Sequence, residues 1–228
     1  MLFRSERGQG RGWLPRECGC KRVDVIEIPT EVPVMPLPNA VLFPHSLLPL
    51  HIFERRYRDM LTDSLAGDRM FSVALMKKGI EEAVEIEDLC PVAGVGLIRA
   101  CVGNENGTSN LVLQGLARVR LICWTQEKPF RKAKIEIAKS VLGNPVKADA
   151  LSEKVKEFCV RIEKIGVPLP PNLMDHLKQI DSPEILSDVV AASFVGEAFQ
   201  RQQLLEAYEV CERLRLLIQF LRSQSGGN

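Results

Sequence analysis

Apolar and polar positions fall into two regimes along the chain. Between Ile26 and Ile137 the apolar runs are short and mostly alternate with polar residues, whereas beyond residue 151 they recur at spacings of three and four. The first pattern predicts strands and the second predicts helices. The run FSVALM at 71–76 is continuous and bounded by charges, which suits a strand covered on both faces. PVAGVGLIRACVG and NLVLQGLARVRLICW are joined by NENGTS, and Asn106-Gly107 supplies residues that tolerate the positive φ of a tight hairpin turn. In the second arm Val119, Leu121 and Cys123 alternate with Arg118, Arg120 and Ile122. Ala133, Ile135 and Ile137 alternate with Lys132, Lys134 and Glu136. Each strand thus has one core face and one wetter face.

One helix interrupts this region, because Phe53, Tyr57, Met60, Leu61 and Leu65 carry the spacing of a buried helical stripe. It is preceded by MPLPNAVLFPHSLLPL, a stretch that begins at Met35 and holds four prolines. Each proline removes a ladder donor, so the stretch reads as extended chain that wraps or closes a barrel and hands over to the helix. LGNPVKADA, 142–150, reads as a linker. After it, Leu151, Val155, Phe158, Ile162 and Ile165 form one stripe, and Leu173, Leu177 and Ile180 mark a short second helix. Ser182 caps a third with Pro183 at its first position, and Ile185, Leu186, Val189, Val190 and Phe194 form its apolar face. A single last helix carries Leu204, Tyr208, Cys211, Leu214, Leu217, Ile218 and Leu221. The predicted organisation is α+β: a basic disordered tail (1–24), a β lobe with one inserted helix (25–141), a linker (142–150), a bundle of three or four helices (151–222) and a short tail (223–228).

Composition narrows the function classes. The 228 residues are 46% hydrophobic, enough for a sizeable core, and the net charge of +1 gives no electrostatic footprint of a nucleic-acid binder. Seven cysteines, Cys18, Cys20, Cys90, Cys101, Cys123, Cys159 and Cys211, form no CxxC pair, which fits a reducing cytoplasm and neither a disulfide framework nor a zinc knuckle. No apolar run is long enough to cross a bilayer, and no secretory segment opens the chain. The Arg-rich beginning keeps organellar targeting open.

Motifs of chemistry are missing: there is no P-loop, HExxH or G-x-S-x-G sequence. The histidines, His45, His51 and His176, have no spacing that unites them, and acidic pairs such as Glu81-Glu82 and Glu87-Asp88 read as solvated surface. Glu54 and Asp59 stand beside Arg55, Arg56 and Arg58, so internal ion pairing is more economical than phosphate binding. No catalytic residue, metal ligand or cofactor is assigned.

The segments PLPN, LFP, LPLHIFE and RYR, then VGLIRA and LVLQGLARVRL, resemble in order and spacing the amino-terminal substrate-binding domain of Lon protease, with its freestanding bacterial relatives and the related domain in cereblon. PPNLMDHLKQIDSPEILSDVVAASF and RQQLLEAYEVCERLRLLIQFL are similar to that family's helical part. The resemblance runs from about Val32 to Leu221. It implies a PUA-like β-barrel lobe followed by a helical bundle, in which Pro36, Pro38, Asn39, Phe43, Pro44, Pro49, Phe53, Glu54, Tyr57, Arg58 and Gly115 serve structure. It implies binding of polypeptides without enzymatic activity, since the ATPase and protease modules of Lon are absent from this sequence. Partners would be polypeptide substrates or a protein such as an AAA+ protease.

His45, Leu47, Leu48, Arg55 and Arg118 are the candidate peptide-binding residues. Leu42, Phe43, Phe53 and Tyr57 are expected in the core, while His45, Leu47 and Leu48 either edge a groove or close the barrel. Arg58 and Glu54 are expected to pair, and Arg118 to face the rim. RNA or nucleotide binding is the rival reading, because PUA-like barrels also serve RNA; an enzyme with a site of Cys or Arg at the barrel mouth is a third.

Overall fold

The computed structural model describes residues 26–225, so the basic tail predicted for 1–24 lies outside the described residues, as do 226–228. Six strands, β1 (Glu31–Leu37), β2 (Leu47–Ile52), β3 (Met70–Leu75), β4 (Val92–Gly103), β5 (Ser109–Gln126) and β6 (Lys132–Ile137), form one sheet of order β2-β5-β4-β3-β1-β6. A further β5–β6 pairing closes five of them into a barrel. β5 makes closure possible by its length of 18 residues: its first half pairs β2 and its second half β6, while β4 runs along both.

The barrel interior is narrow, and the sequence fills it with small residues. Val34, Ala74, Ala93, Val95, Val119 and Ala133, drawn from all five closing strands, belong to one buried cluster. On β3 the other parity, Phe71 and Val73, faces a second cluster under α1 (Arg55–Ala66), with Tyr57, Met60 and Leu61. Both faces of β3 are therefore dry, as its unbroken apolar run requires.

Prolines enter β1 because each half of this strand pairs on one side only. Glu31–Pro33 pairs with β6, and Val34–Leu37 runs parallel to β3. After β1 the chain crosses the β4–β5 hairpin as irregular backbone. Leu42 and Phe43 are fully buried there, and their carbonyls sit directly over Gly94 and Gly115, where a Cβ would overlap them. His45 N donates to Gly115 O at 3.0 Å and Gly115 N to Ser46 O at 2.9 Å, pinning the crossing. The apolar, proline-interrupted stretch is thus a strap, and two glycines let it lie flat on the sheet.

The helical half holds five helices, α2 (Pro145–Lys164), α3 (Leu173–Lys178), α4 (Pro183–Phe194), α5 (Ala198–Glu206) and α6 (Val210–Ser225). Three expectations need correction. Residues 145–150, predicted as linker, are the first turns of α2: Asn144 caps it by accepting from Lys147 N at 3.0 Å, and Pro145 occupies the position where its missing N–H costs nothing. The predicted single last helix is two, and its end lies beyond 222. Val141 enters the break, donating from its N–H to Tyr208 O at 3.0 Å and accepting from Val210 N at 2.9 Å. Ile165, expected on the buried stripe of α2, is 63% exposed at the helix end.

Candidate functional site

The first half of β5, with β2 on one side and the end of β4 on the other, projects as a three-stranded extension of the barrel. Alternation gives it two unlike faces. Leu48, Leu50, Ile52, Leu111 and Leu113 turn toward α1 and its core. Leu47, Pro49, His51, Ala100, Val102 and Val112 turn the other way, and several of them line a shallow trough of about 430 Å³. Leu47 is 65% exposed and Val102 64%, so this is apolar surface held in water by a rigid sheet. Phe53, 62% exposed, extends it by stacking on His51 with ring centroids 6.0 Å apart. Contiguous apolar surface of this kind marks binding faces in folded proteins.

The predicted site residues are dispersed by the fold. Leu47 lies on the exposed face. Leu48 is on the opposite face, packed toward the core. Arg55 is exposed at the start of α1. His45 is exposed in a different depression, about 250 Å³, beside Glu184 and Ser140, and adopts a left-handed φ of 62°.

Arg118 does not face the rim. It is 2% exposed and reaches from β5 into the helical half, because both faces of that part of the barrel are covered. Its Nη1 donates to Asp188 Oδ2 at 2.8 Å, its Nη2 to Asp188 Oδ1, and its Nε to Leu205 O at 3.0 Å. Arg213 of α6 donates to the same carboxylate at 3.1 Å and to Ser140 Oγ at 2.7 Å. Burial, then the neighbouring Arg118 charge, pulls the Arg213 pKa down to about 10, which leaves it protonated at neutral pH. One carboxylate thus serves two guanidiniums where barrel meets bundle, and Arg118 is removed from the peptide-binding set. Asp188 and Arg213 were missed in the sequence. The available sign was an aspartate set inside the apolar face Leu186, Val189, Val190 of α4.

Two further expectations change. Phe53 is surface rather than core, since it precedes α1 instead of lying on its buried stripe. Glu54 pairs with Arg56, at 2.9 Å, and not with Arg58, whose Nη1 donates to Gly107 O at 3.4 Å. Leu42, Phe43 and Tyr57 are buried.

A larger cavity, about 460 Å³, lies at the barrel mouth between the end of β1, the start of α1 and residues 127–131. Arg56 spans it, pairing with Glu82 at 2.9 Å and with Glu54 at 2.9 Å and lying over the Tyr57 ring, so this guanidinium is committed to the cavity's own walls. Among the described residues no group of three or more His, Cys, Asp and Glu side chains is placed to hold a metal, and no helix is long and apolar enough to cross a membrane.

Residues 31–223 match the family described as the ATP-dependent protease La (LON) substrate-binding domain. The chain is 28% identical over 197 residues to the Lon protease of Anaeromyxobacter dehalogenans, a match that covers 86% of this chain and 23% of that protein. With Lon protease 2 of Herpetosiphon aurantiacus it shares 28% identity over 198 residues, covering 86% and 24%. The chain therefore spans about a quarter of the length of the curated relatives it matches. Among solved structures, the N-terminal domain of Mycobacterium avium complex Lon protease superposes with a TM-score of 0.67 at 16% identity, covering 84% of this chain and 98% of that one. A Lon N-terminal domain protein from Xanthomonas campestris gives 0.60 at 20% identity, with the same coverage. The structural likeness shows the fold.

Proposed function

This chain belongs to the Lon substrate-binding domain family, and from that premise we propose that it is a nonenzymatic module that binds unfolded polypeptide through the exposed face of its β2-β5-β4 extension. The observation that carries the reading is apolar side chains fixed in water on rigid strands, with Leu47 and Val102 each about two-thirds exposed. A chain segment laid on them buries apolar area on both partners, at roughly 25 cal/mol per Å². Rigid strands spend little conformational entropy on binding.

On this reading the chain serves protein quality control. Unfolding and cleavage of what it holds belong to another machine, an AAA+ protease being the partner the reading names. A cytoplasmic location suits that role. The face offers nucleic acid a single guanidinium, that of Arg99, which does not favour the RNA alternative.

Fluorescence anisotropy with a labelled, permanently unfolded polypeptide tests the proposal. Leu47→Ser combined with Val102→Ser should weaken binding at least about tenfold, roughly 1.4 kcal/mol, while the circular dichroism spectrum and melting temperature stay near wild type. Unchanged affinity in the folded double variant would remove the site. Leu48→Ser is unsuited to this test, because Leu48 supports the core under α1.

A further inference from the structure

Among the described strands β2 pairs with β5 alone, so its other side is a free sheet edge. The register sets Leu48, Leu50 and Ile52 opposite Leu113, Leu111 and Ser109, and Gly115 N donates to Ser46 O at 2.9 Å one step earlier in that series. Hydrogen-bonded positions recur at every second residue of an antiparallel strand. Ser46, Leu48, Leu50 and Ile52 therefore turn their backbone groups to β5, while Leu47, Pro49 and His51 turn theirs to solvent. Pro49 has no N–H, so the free edge lacks its central donor. A polypeptide added there as a further strand would leave a carbonyl facing the gap. A proline at this place protects an edge from indiscriminate pairing.

The outer face beside that edge has the opposite character. It is mostly apolar, interrupted by the paired His51 and Asn110 and by Gln114, and Arg99 is the one guanidinium among the strand residues that form it. Arg99 is exposed and steered by donating from Nε to Gln114 Oε1, beside Leu47, which is the register partner of Gln114. No carboxylate shares the strand surface; Glu105 stands at the hairpin turn.

Building on the proposed binding face, we propose that the bound polypeptide lies across it with its backbone unpaired, held by apolar side chains and by an acidic residue that flanks them and meets Arg99. The preferred partner is then an apolar segment with an Asp or Glu beside it, and strand addition to the Pro49-bearing edge of β2 plays no part.

The test uses one unstructured apolar peptide in three versions: flanked by Glu, flanked by Lys, and Glu-flanked with alternate backbone amides N-methylated. Each is titrated by anisotropy against the wild-type chain and against Arg99→Glu. The wild type should bind the N-methylated peptide within about twofold of its parent and the Lys version about fivefold more weakly, with the charge preference reversed in Arg99→Glu. Loss of binding on N-methylation, or indifference to flank charge in both proteins, overturns the inference while leaving the face as a polypeptide site. Failure of every peptide to bind, or binding unaffected by the Leu47→Ser, Val102→Ser pair, overturns the parent reading and this inference with it.

Discussion

Arg118 on β5 grips Asp188 on α4 through both terminal nitrogens, the Nη1–Oδ2 pair at 2.8 Å, with neither side chain more than 2% exposed. This buried pair, shared with Arg213, ties the barrel to the bundle and fixes the orientation of the sheet that carries the proposed binding face. Taking charges out of water costs several kcal/mol per ion, so the two guanidiniums are held there only while the Asp188 carboxylate they share is present.

Asp188→Ala strands two guanidiniums without a counterion and should lower unfolding free energy by about 3–5 kcal/mol in urea titrations. Arg213→Met should cost markedly less, because it removes a charge whose burial is already unfavourable and leaves a one-to-one pair of Arg118 with Asp188. The reverse ranking would mean that Arg213, with its bonds to Ala207 O and Ser140, is the principal tie.

The strap over the sheet depends on Gly94 and Gly115. An added methyl would collide with the carbonyls of Leu42 and Phe43, which are backbone and cannot swing aside. Gly94→Ala and Gly115→Ala should each destabilise by about 3 kcal/mol or more. Gly103→Ala is the control: no atom lies within 4 Å of its Cβ position, and stability should change by less than about 1 kcal/mol. Equal effects at all three glycines, read by thermal melts, would contradict the close crossing.

Burial pushes the Cys159 thiol from its ordinary 9.0 up to about 12. The folded state therefore holds this proton more tightly than the unfolded state. Its stabilising effect is complete below pH 9 and is lost progressively as pH rises from there toward 12. Cys159→Ala should flatten the alkaline decline of the urea midpoint relative to wild type. A shallower slope should persist, since burial also raises Cys90, Tyr57 and Tyr208. Identical slopes in both proteins would show that Cys159 is reached by solvent before global unfolding.

Much of this architecture is legible in the residues. The two-residue period marks the hairpin with its turn at Asn106-Gly107, where Gly107 has a φ of 78°. Ser182 and Pro183 mark the start of α4, where Ser182 Oγ accepts from Ile185 N at 3.4 Å. Local chemistry writes those features. What proved illegible depends on distant chain. Arg118 alternates with apolar residues like a surface arginine and becomes core only because α4 and α6 bring Asp188 and their own covering surface. Asn144-Pro145 reads equally well as linker or helix start, and packing decides. The break between α5 and α6 exists because Val141, about seventy residues earlier, bonds into it. The proposed binding face was half visible: Leu47 stood out in the motif, but Val102 and Val112 share its surface only through a register that sequence alternation does not supply.

The most direct measurement is site-specific photocrosslinking to an unfolded polypeptide, with a photoreactive residue placed singly at Leu47, Val102 or Val146. Val146 is 77% exposed, more than either of the others, but it stands on α2 in the helical half. Strong adducts from positions 47 and 102 with none above background from 146 are the predicted result. Equal adducts from all three, or adducts from 146 alone, would show that exposure alone or the bundle captures the chain, and would contradict the assignment of binding to the barrel extension.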